Sequence, residues 1–256
     1  MPLLPLLDEV VYGPVHSRRL GWSLGVNVFP AGRKICNFNC AYCQYGWTRE
    51  GESAVAPDHW PAPSRIADAV GRALRALETA GGRVDRITLA GNGEPTLHPR
   101  FGEVVERLRV IRDEALHDAR IAVLSNAGTL DRPAVFDALR RVDDAYLKLD
   151  TADPWLFKRL NGARASLADV VDALRALPHV TIQSLFARSR DGRVDNTAPE
   201  TVERWVAALR VIAPVAVHVY SVDRVPAWSA LQPVPTTELE AIAAKARATG
   251  LAVTVF

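Results

Sequence analysis

All three cysteines of this 256-residue chain fall in one short stretch, Cys36-Asn37-Phe38-Asn39-Cys40-Ala41-Tyr42-Cys43, and Met1 is the only other sulfur. Thiolates are soft ligands, and three this close in sequence must converge on one centre, zinc or an iron–sulfur cluster. A structural zinc ion closes with four protein ligands; the fourth would have to be a residue such as His59 or His98, and neither follows at zinc-finger spacing. An ordinary [4Fe–4S] cluster takes four cysteines, so three leave one iron with an open position, where chemistry can occur. A third reading leaves the thiols buried without a ligand. Spacing alone keeps all three open.

Such a loop needs rigid elements at both ends. Residues 23–29 read as a first strand, punctuated by Pro30-Ala31-Gly32 before the cysteines. Ser64 then caps a helix with Ile66, Val70, Leu74 and Leu77 on one face, ended by Gly81-Gly82. A strand over 84–89 runs straight into Gly91-Asn92-Gly93-Glu94-Pro95, and Pro99 starts the next helix. Further strands are expected over 121–124, 145–149, 180–186 and 215–220, with helices opening at Asp131, Ser166, Thr197 and Thr237, and a terminal strand over 251–256. Strand and helix alternate six times, the pattern of a parallel sheet covered by helices. A doubly wound dinucleotide-binding sheet is the alternative, but Gly91-Asn92-Gly93 lacks the third glycine of that fingerprint.

In β/α barrels the reacting groups gather at the C-terminal ends of strands. The cysteine loop, Gly91 to Glu94, Ser125-Asn126, Lys148 with Asp150, and His218 with Tyr220 all fall at such ends. Residues two apart on a strand share a face, so each of the last two pairs can point inward together. Lys148 and Asp150 could instead pair with one another, His218 could be a core histidine, and Gly91 and Gly93 could mark a tight turn. The Glu94-Pro95 that follows favours close backbone approach to a ligand.

Composition sets bounds on these readings. With 48% hydrophobic and 23% charged residues and a net charge of +2, the chain is an ordinary globular protein without the basic excess of a nonspecific nucleic-acid binder. The apolar start, Met1 to Leu7, carries two prolines and lacks a basic opening, and no stretch approaches a membrane span. Three clustered cysteines also argue against a secreted disulfide framework. A cytoplasmic location and no membrane partner are expected.

The cysteine pattern resembles the radical S-adenosylmethionine (SAM) superfamily, whose signature is C-x3-C-x2-C with an aromatic residue, here Tyr42, before the last cysteine. The likeness continues in Gly13-Pro14 and Ser17-Arg18-Arg19-Leu20-Gly21, in Lys34-Ile35-Cys36-Asn37-Phe38, and in Gly91 to Pro99. Together these motifs resemble the Fe–S oxidoreductase branch related to wyosine tRNA-base synthases, and Gly93-Glu94-Pro95-Thr96-Leu97-His98-Pro99 is shared with glycyl-radical activating enzymes.

The resemblance implies an α/β fold, a partial (β/α)6 TIM-like barrel, with 1–256 as one core domain and 1–22 as an extension packing near the barrel mouth. It implies a [4Fe–4S] cluster on Cys36, Cys40 and Cys43, with SAM on the free iron. Reductive cleavage of SAM would give a 5′-deoxyadenosyl radical that abstracts hydrogen from a substrate. Gly91, Asn92, Gly93 and Glu94 match the motif for the amino group of SAM, and Tyr42 the aromatic near adenine. Ser125, Asn126, Lys148 and Asp150 are placed to meet the carboxylate and ribose; His218 and Tyr220 join them by strand position. Electrons would come from a low-potential donor such as flavodoxin or ferredoxin.

The absence of further cysteines argues against a cysteine-ligated second cluster, and so against sulfur insertion and against transferring the activity of two-cluster wyosine synthases. Arg18 and Arg19 are candidates for binding a phosphate or carboxylate of a small anionic substrate or of a nucleotide in RNA; Arg188, Arg190, Arg193 and Arg224 follow strands and read otherwise as surface charges. An activase that places a glycyl radical on a partner protein and a noncatalytic metal-binding module are the alternatives.

Overall fold

Parallel strands buried on both faces carry near-continuous apolar runs, and this chain supplies them in series. The computed structural model describes residues 2–49, 55–115 and 118–256. In chain order these form β1 (Val11–Ser17), β2 (Gly21–Val26), α1 (Pro63–Thr79), β3 (Arg86–Leu89), α2 (Phe101–Ala115), β4 (Arg120–Ser125), α3 (Pro133–Leu139) and β5 (Asp144–Lys148). There follow α4 (Pro154–Asn161), α5 (Leu167–Ala176), β6 (Val180–Ser189), α6 (Pro199–Ile212), β7 (Ala216–Ser221), β8 (Leu231–Pro233), α7 (Thr236–Arg247) and β9 (Val253–Val255).

The sheet order is β1-β2-β3-β4-β5-β6-β7-β9, parallel from β2 onward, with β1 antiparallel on β2 and β8 antiparallel on β6. Neighbours in the sheet thus follow the order of the chain. A doubly wound sheet reverses that order at a switch point, so that alternative falls. No pairing joins β1 to β9 among the described residues, and the sheet remains an open, partial TIM-like barrel.

Periodicity located the helices, but side-chain caps did not start all of them. Pro63 and Pro199 occupy first helical turns whose N-caps, Ala62 and Ala198, make no side-chain cap; Ser166 does cap α5, accepting from the Asp169 amide. Three elements went unforeseen: β1, α4 and the short β8. β1 carries Pro14 and a register shift between Tyr12 and Val15, features that disguise a strand and suit an edge. α4 is announced by Asp153, which accepts from the Trp155 and Leu156 amides, by Pro154, and by Gly162 in a left-handed C-terminal turn. No helix of the described residues is long and apolar enough to cross a membrane.

The helix layer is locked by buried anchors such as Trp205 of α6, which packs edge-on to Phe186 and donates to Ser184 Oγ at 2.9 Å. Inside the sheet the contents are layered. At the strand starts, Asp144 accepts from Arg86 Nε (2.9 Å) and Arg120 Nε (2.9 Å), tying β3, β4 and β5. Leu20, Ala122 and Tyr146 form an apolar plug above them. The strand ends are left to polar side chains and the cysteine loop.

Candidate functional site

The cysteine loop begins as a one-residue extension of the sheet. Ile35 bridges Gly93 in parallel: its N–H donates to Asn92 O (3.1 Å) and its carbonyl accepts from the Glu94 N–H (3.0 Å). A Cβ on Gly93 would lie 1.8 Å from the Ile35 oxygen, and one on Gly91 would lie 2.4 Å from Asn27 Oδ1. The two glycines are therefore required by close approach of the protein to itself, not by a tight turn or by ligand approach alone. The far end of the loop is held by α4, where Asn39 N–H donates to Asn161 O (3.1 Å) and Ala41 N–H to Leu160 O (2.8 Å). Phe38 packs edge-on to Phe157, with ring centres 5.5 Å apart, and the buried Lys34 ammonium donates to Gly46 O.

Held in this way, Cys36, Cys40 and Cys43 line one cavity of about 340 Å³ at the strand ends. The same cavity is lined by Tyr42, Gly91, Gly93, Glu94, Ser125, Asn126, Lys148, Tyr220, Arg18 and Arg19. Asn126 Nδ2 donates to Asn37 Oδ1 (2.8 Å) and lies 3.6 Å from Cys36 Sγ, while its Oδ1 accepts from the Gly128 N–H (2.8 Å). Burial pushes the Cys40 thiol up to about 12 against the pull of its hydrogen bond with Tyr42, and raises Cys36 further. Buried thiols of this kind keep their protons until a metal replaces them.

The single-ion reading finds little support here. His98 is saturated, its Nε2 bonded to Pro61 O (2.9 Å) and its Nδ1 accepting from the Arg100 N–H (3.1 Å), and His59 is exposed outside the cavity. Among the described residues no three His, Cys, Asp or Glu side chains converge as one ion would require. A cubane places its cysteine ligands on different irons, so it does not ask for that convergence. The donor set therefore fits such a cluster with one iron left open.

The two buried acids of the site are spoken for. Glu94 accepts from Thr96 Oγ1 (2.6 Å) and from the Asn126 amide (2.6 Å); burial raises its pKa and these bonds oppose the rise. Asp150 accepts from Tyr42 Oη, from Asn161 Nδ2 (2.6 Å) and from the Leu185 amide (2.7 Å), and pairs with Lys148 Nζ at 2.9 Å. Lys148 also donates to Tyr220 Oη (2.7 Å) and lies over the Tyr42 ring. Burial alone would depress Lys148, but the Asp150 carboxylate and the Tyr220 hydroxyl outweigh it and raise its pKa.

Three expected ligand contacts are placed elsewhere. Asn92 exchanges hydrogen bonds with Leu7, accepting from its N–H (2.8 Å) and donating to its carbonyl (2.7 Å), so it clamps the N-terminal segment instead of facing the cavity. Asp150 sits behind the wall, its oxygens consumed as described. His218 lies deeper, its ring packed by Tyr146 and Phe256 at 5.5 and 4.9 Å. Of the arginines, Arg224 lines the cavity, whereas Arg188 pairs with Glu238 and Arg193 with Asp191 away from it.

Lys34, Gln44, Tyr45, Gln183, Leu185, Ser221, Val222, Asp223 and Phe256 also line the cavity and were not anticipated. Gln183 and Leu185 were within reach, since strand alternation puts both on the inner face of β6, Gln183 beside Lys148 and Leu185 beside Tyr220 across the sheet.

A family model described as the Radical SAM superfamily matches residues 34–187. A UPF0026 protein of Helicobacter pylori (strain ATCC 700392 / 26695) is 34% identical over 152 residues, 59% of this chain and 46% of that protein. A UPF0026 protein of Synechocystis sp. (strain ATCC 27184 / PCC 6803 / Kazusa) is 30% identical over 217 residues, 81% of this chain and 73% of that protein. The match to the first relative thus spans less than half of its length. Among solved structures, a radical SAM methyltransferase from Sphaerobacter thermophilus shares the fold with a TM-score of 0.68 at 19% identity, covering 91% of this chain and 65% of that one.

Proposed function

Because the chain belongs to the radical SAM superfamily, we propose that it is an enzyme whose Cys36, Cys40 and Cys43 hold a [4Fe–4S] cluster with one iron free for SAM. The observation that carries this reading is the shared cavity: all three cysteines line it beside Gly91, Gly93 and Glu94, and no histidine lines it among the described residues. When bound, cluster and SAM supply one-electron cleavage of a carbon–sulfur bond and abstraction of a hydrogen atom from the substrate.

The protein's part is to bind, orient and shield. The backbone of Gly91 to Glu94 would hold the amino group of SAM, while the Glu94 carboxylate, spent on Thr96 and Asn126, keeps that backbone in place. Ser125, Asn126 and Lys148 would hold its carboxylate and ribose, and Tyr42 its adenine. Asp150 acts as a positioning residue, since it fixes both Tyr42 and Lys148. A low-potential donor such as flavodoxin or ferredoxin supplies the electron, and the substrate is a small anionic molecule or a nucleotide in RNA.

Anaerobic reconstitution tests the reading. The wild-type chain should take up about four irons, lose them when any one of the three cysteines is changed to alanine, and release 5′-deoxyadenosine from SAM once reduced. Stoichiometric zinc without iron would overturn it. Substrate binding that weakens steeply with added salt would favour RNA over a small molecule.

A further inference from the structure

Six side-chain atoms among the described residues are buried without a partner, and three of them collect inside the barrel: Arg19 Nη1, Gln183 Nε2 and His218 Nδ1. Leaving a buried polar group unpaired is costly, so three such nitrogens in one place call for an explanation. Gln183 is only 4% exposed, yet it lines the cavity. It stands in register between Lys148 on β5 and His218 on β7, with Arg19 reaching the same region from the turn between β1 and β2.

Charge sharpens the point. The carboxylates of the barrel interior and the cavity rim named above are engaged by other groups: Asp144 by Arg86 and Arg120, Asp150 by Lys148, Glu94 by Thr96 and Asn126, Asp223 by Arg18. No ion pair involves Arg19 among the described residues. Its guanidinium instead lies 4.2 Å from the centre of the Tyr220 ring, a cation–π contact that uses none of its N–H groups. A planar fork with free donors matches an oxyanion, and a neighbouring amide N–H completes the grip.

We infer that this wall is an oxyanion subsite for the substrate, in which the Arg19 fork and the Gln183 amide hold a carboxylate or phosphoryl group above the Tyr146–His218 layer. The inference rests on the cluster-and-SAM reading, because that reading assigns the side of the cavity from Gly91 to Lys148 to SAM and leaves the next strands, β6 and β7, to the substrate. Gly91 to Glu94 follow β3, and Gln183 lies on β6, three strands further round the sheet. The substrate's charged group is thereby fixed beside Lys148, on the far side of it from Gly91 to Glu94.

The test uses the reconstituted holoenzyme, with thermal melting followed while acetate or inorganic phosphate replaces chloride at constant ionic strength. One or both anions should raise the melting temperature saturably, with acetate alone marking a carboxylate substrate and phosphate alone a phosphoryl one. Arg19→Met and Gln183→Leu should bind that anion about 10–100-fold more weakly, with iron content unchanged as proof of folding. Arg190→Met, a change at an exposed arginine outside the cavity, should keep wild-type affinity. The subsite is refuted by an iron-loaded wild type that neither anion stabilises, by unaltered affinity in both cavity variants, or by an equal loss in Arg190→Met. A wild type that takes up no iron overturns the parent reading, and this one with it.

Discussion

Replacing Gly93 with alanine tests how the cysteine loop is seated. The added Cβ would stand 1.8 Å from the Ile35 oxygen and 2.6 Å from its carbonyl carbon, distances that no side-chain rotation can relieve because both atoms are backbone. The strand-like bridge must open, and its two hydrogen bonds, at 3.1 and 3.0 Å, are worth about 0.5–1.5 kcal/mol each. A side chain held at φ 154° adds about 1–3 kcal/mol of strain if the backbone does not move. The expected loss is therefore about 2–6 kcal/mol in urea unfolding, with iron uptake reduced because Cys36 follows Ile35 directly. Gly102→Ala is the companion measurement: this helical glycine has no neighbour nearer than 3.7 Å, and the change should be neutral or stabilising by up to about 1 kcal/mol. Wild-type stability and full iron loading in Gly93→Ala would refute the argument that the motif's second glycine exists to admit the loop.

Removing the Asp150 carboxylate by Asp150→Ala strands Lys148 as an uncompensated buried cation and should cost about 3–5 kcal/mol in denaturant unfolding, against a smaller loss for Asp150→Asn. Asn126→Ala deletes the amide beside Cys36 Sγ and should weaken metal retention about 10–100-fold, read as faster iron loss to a chelator. His218 is held down at about 4, first by burial and then by the Arg19 and Arg86 charges, with Asp144 opposing. Its folded pKa lies below the ordinary 6.5, so the unfolded chain takes the proton first as pH falls. Its contribution is complete above about pH 6.5 and is lost toward pH 4, by about 1–2 kcal/mol after allowance for partial exposure. His218→Phe should flatten that slope in unfolding curves taken across the window.

The strand–helix alternation and the gathering of polar residues at strand ends were legible because both follow from short-range periodicity. Lys148 and Tyr220 reach the cavity as alternation on β5 and β7 requires. What alternation cannot give is depth along the strand. His218 shares its inner face with Tyr220 yet lies a layer lower, between aromatic rings. Nor can a motif say which of its groups face a ligand: Asn92 sits inside the Gly91 to Glu94 run and spends its side chain on Leu7, a partner 85 residues away. Asn161 was hidden for a related reason. Its helix carried clear start and stop residues, Asp153, Pro154 and Gly162, but nothing local announced that it would meet Tyr42 and Asp150.

One carboxylate, that of Asp150, fastens the cysteine loop through Tyr42, the end of α4 through Asn161, β5 through Lys148 and β6 through the Leu185 amide. Local opening at the sulfurs must therefore disturb a carboxylate that four separate segments share, and those segments are expected to open as one cooperative unit. If the cysteines hold a metal as proposed, its occupancy should be felt in hydrogen exchange on β6, where the Leu185 amide proton would report whether the loop above it is shut.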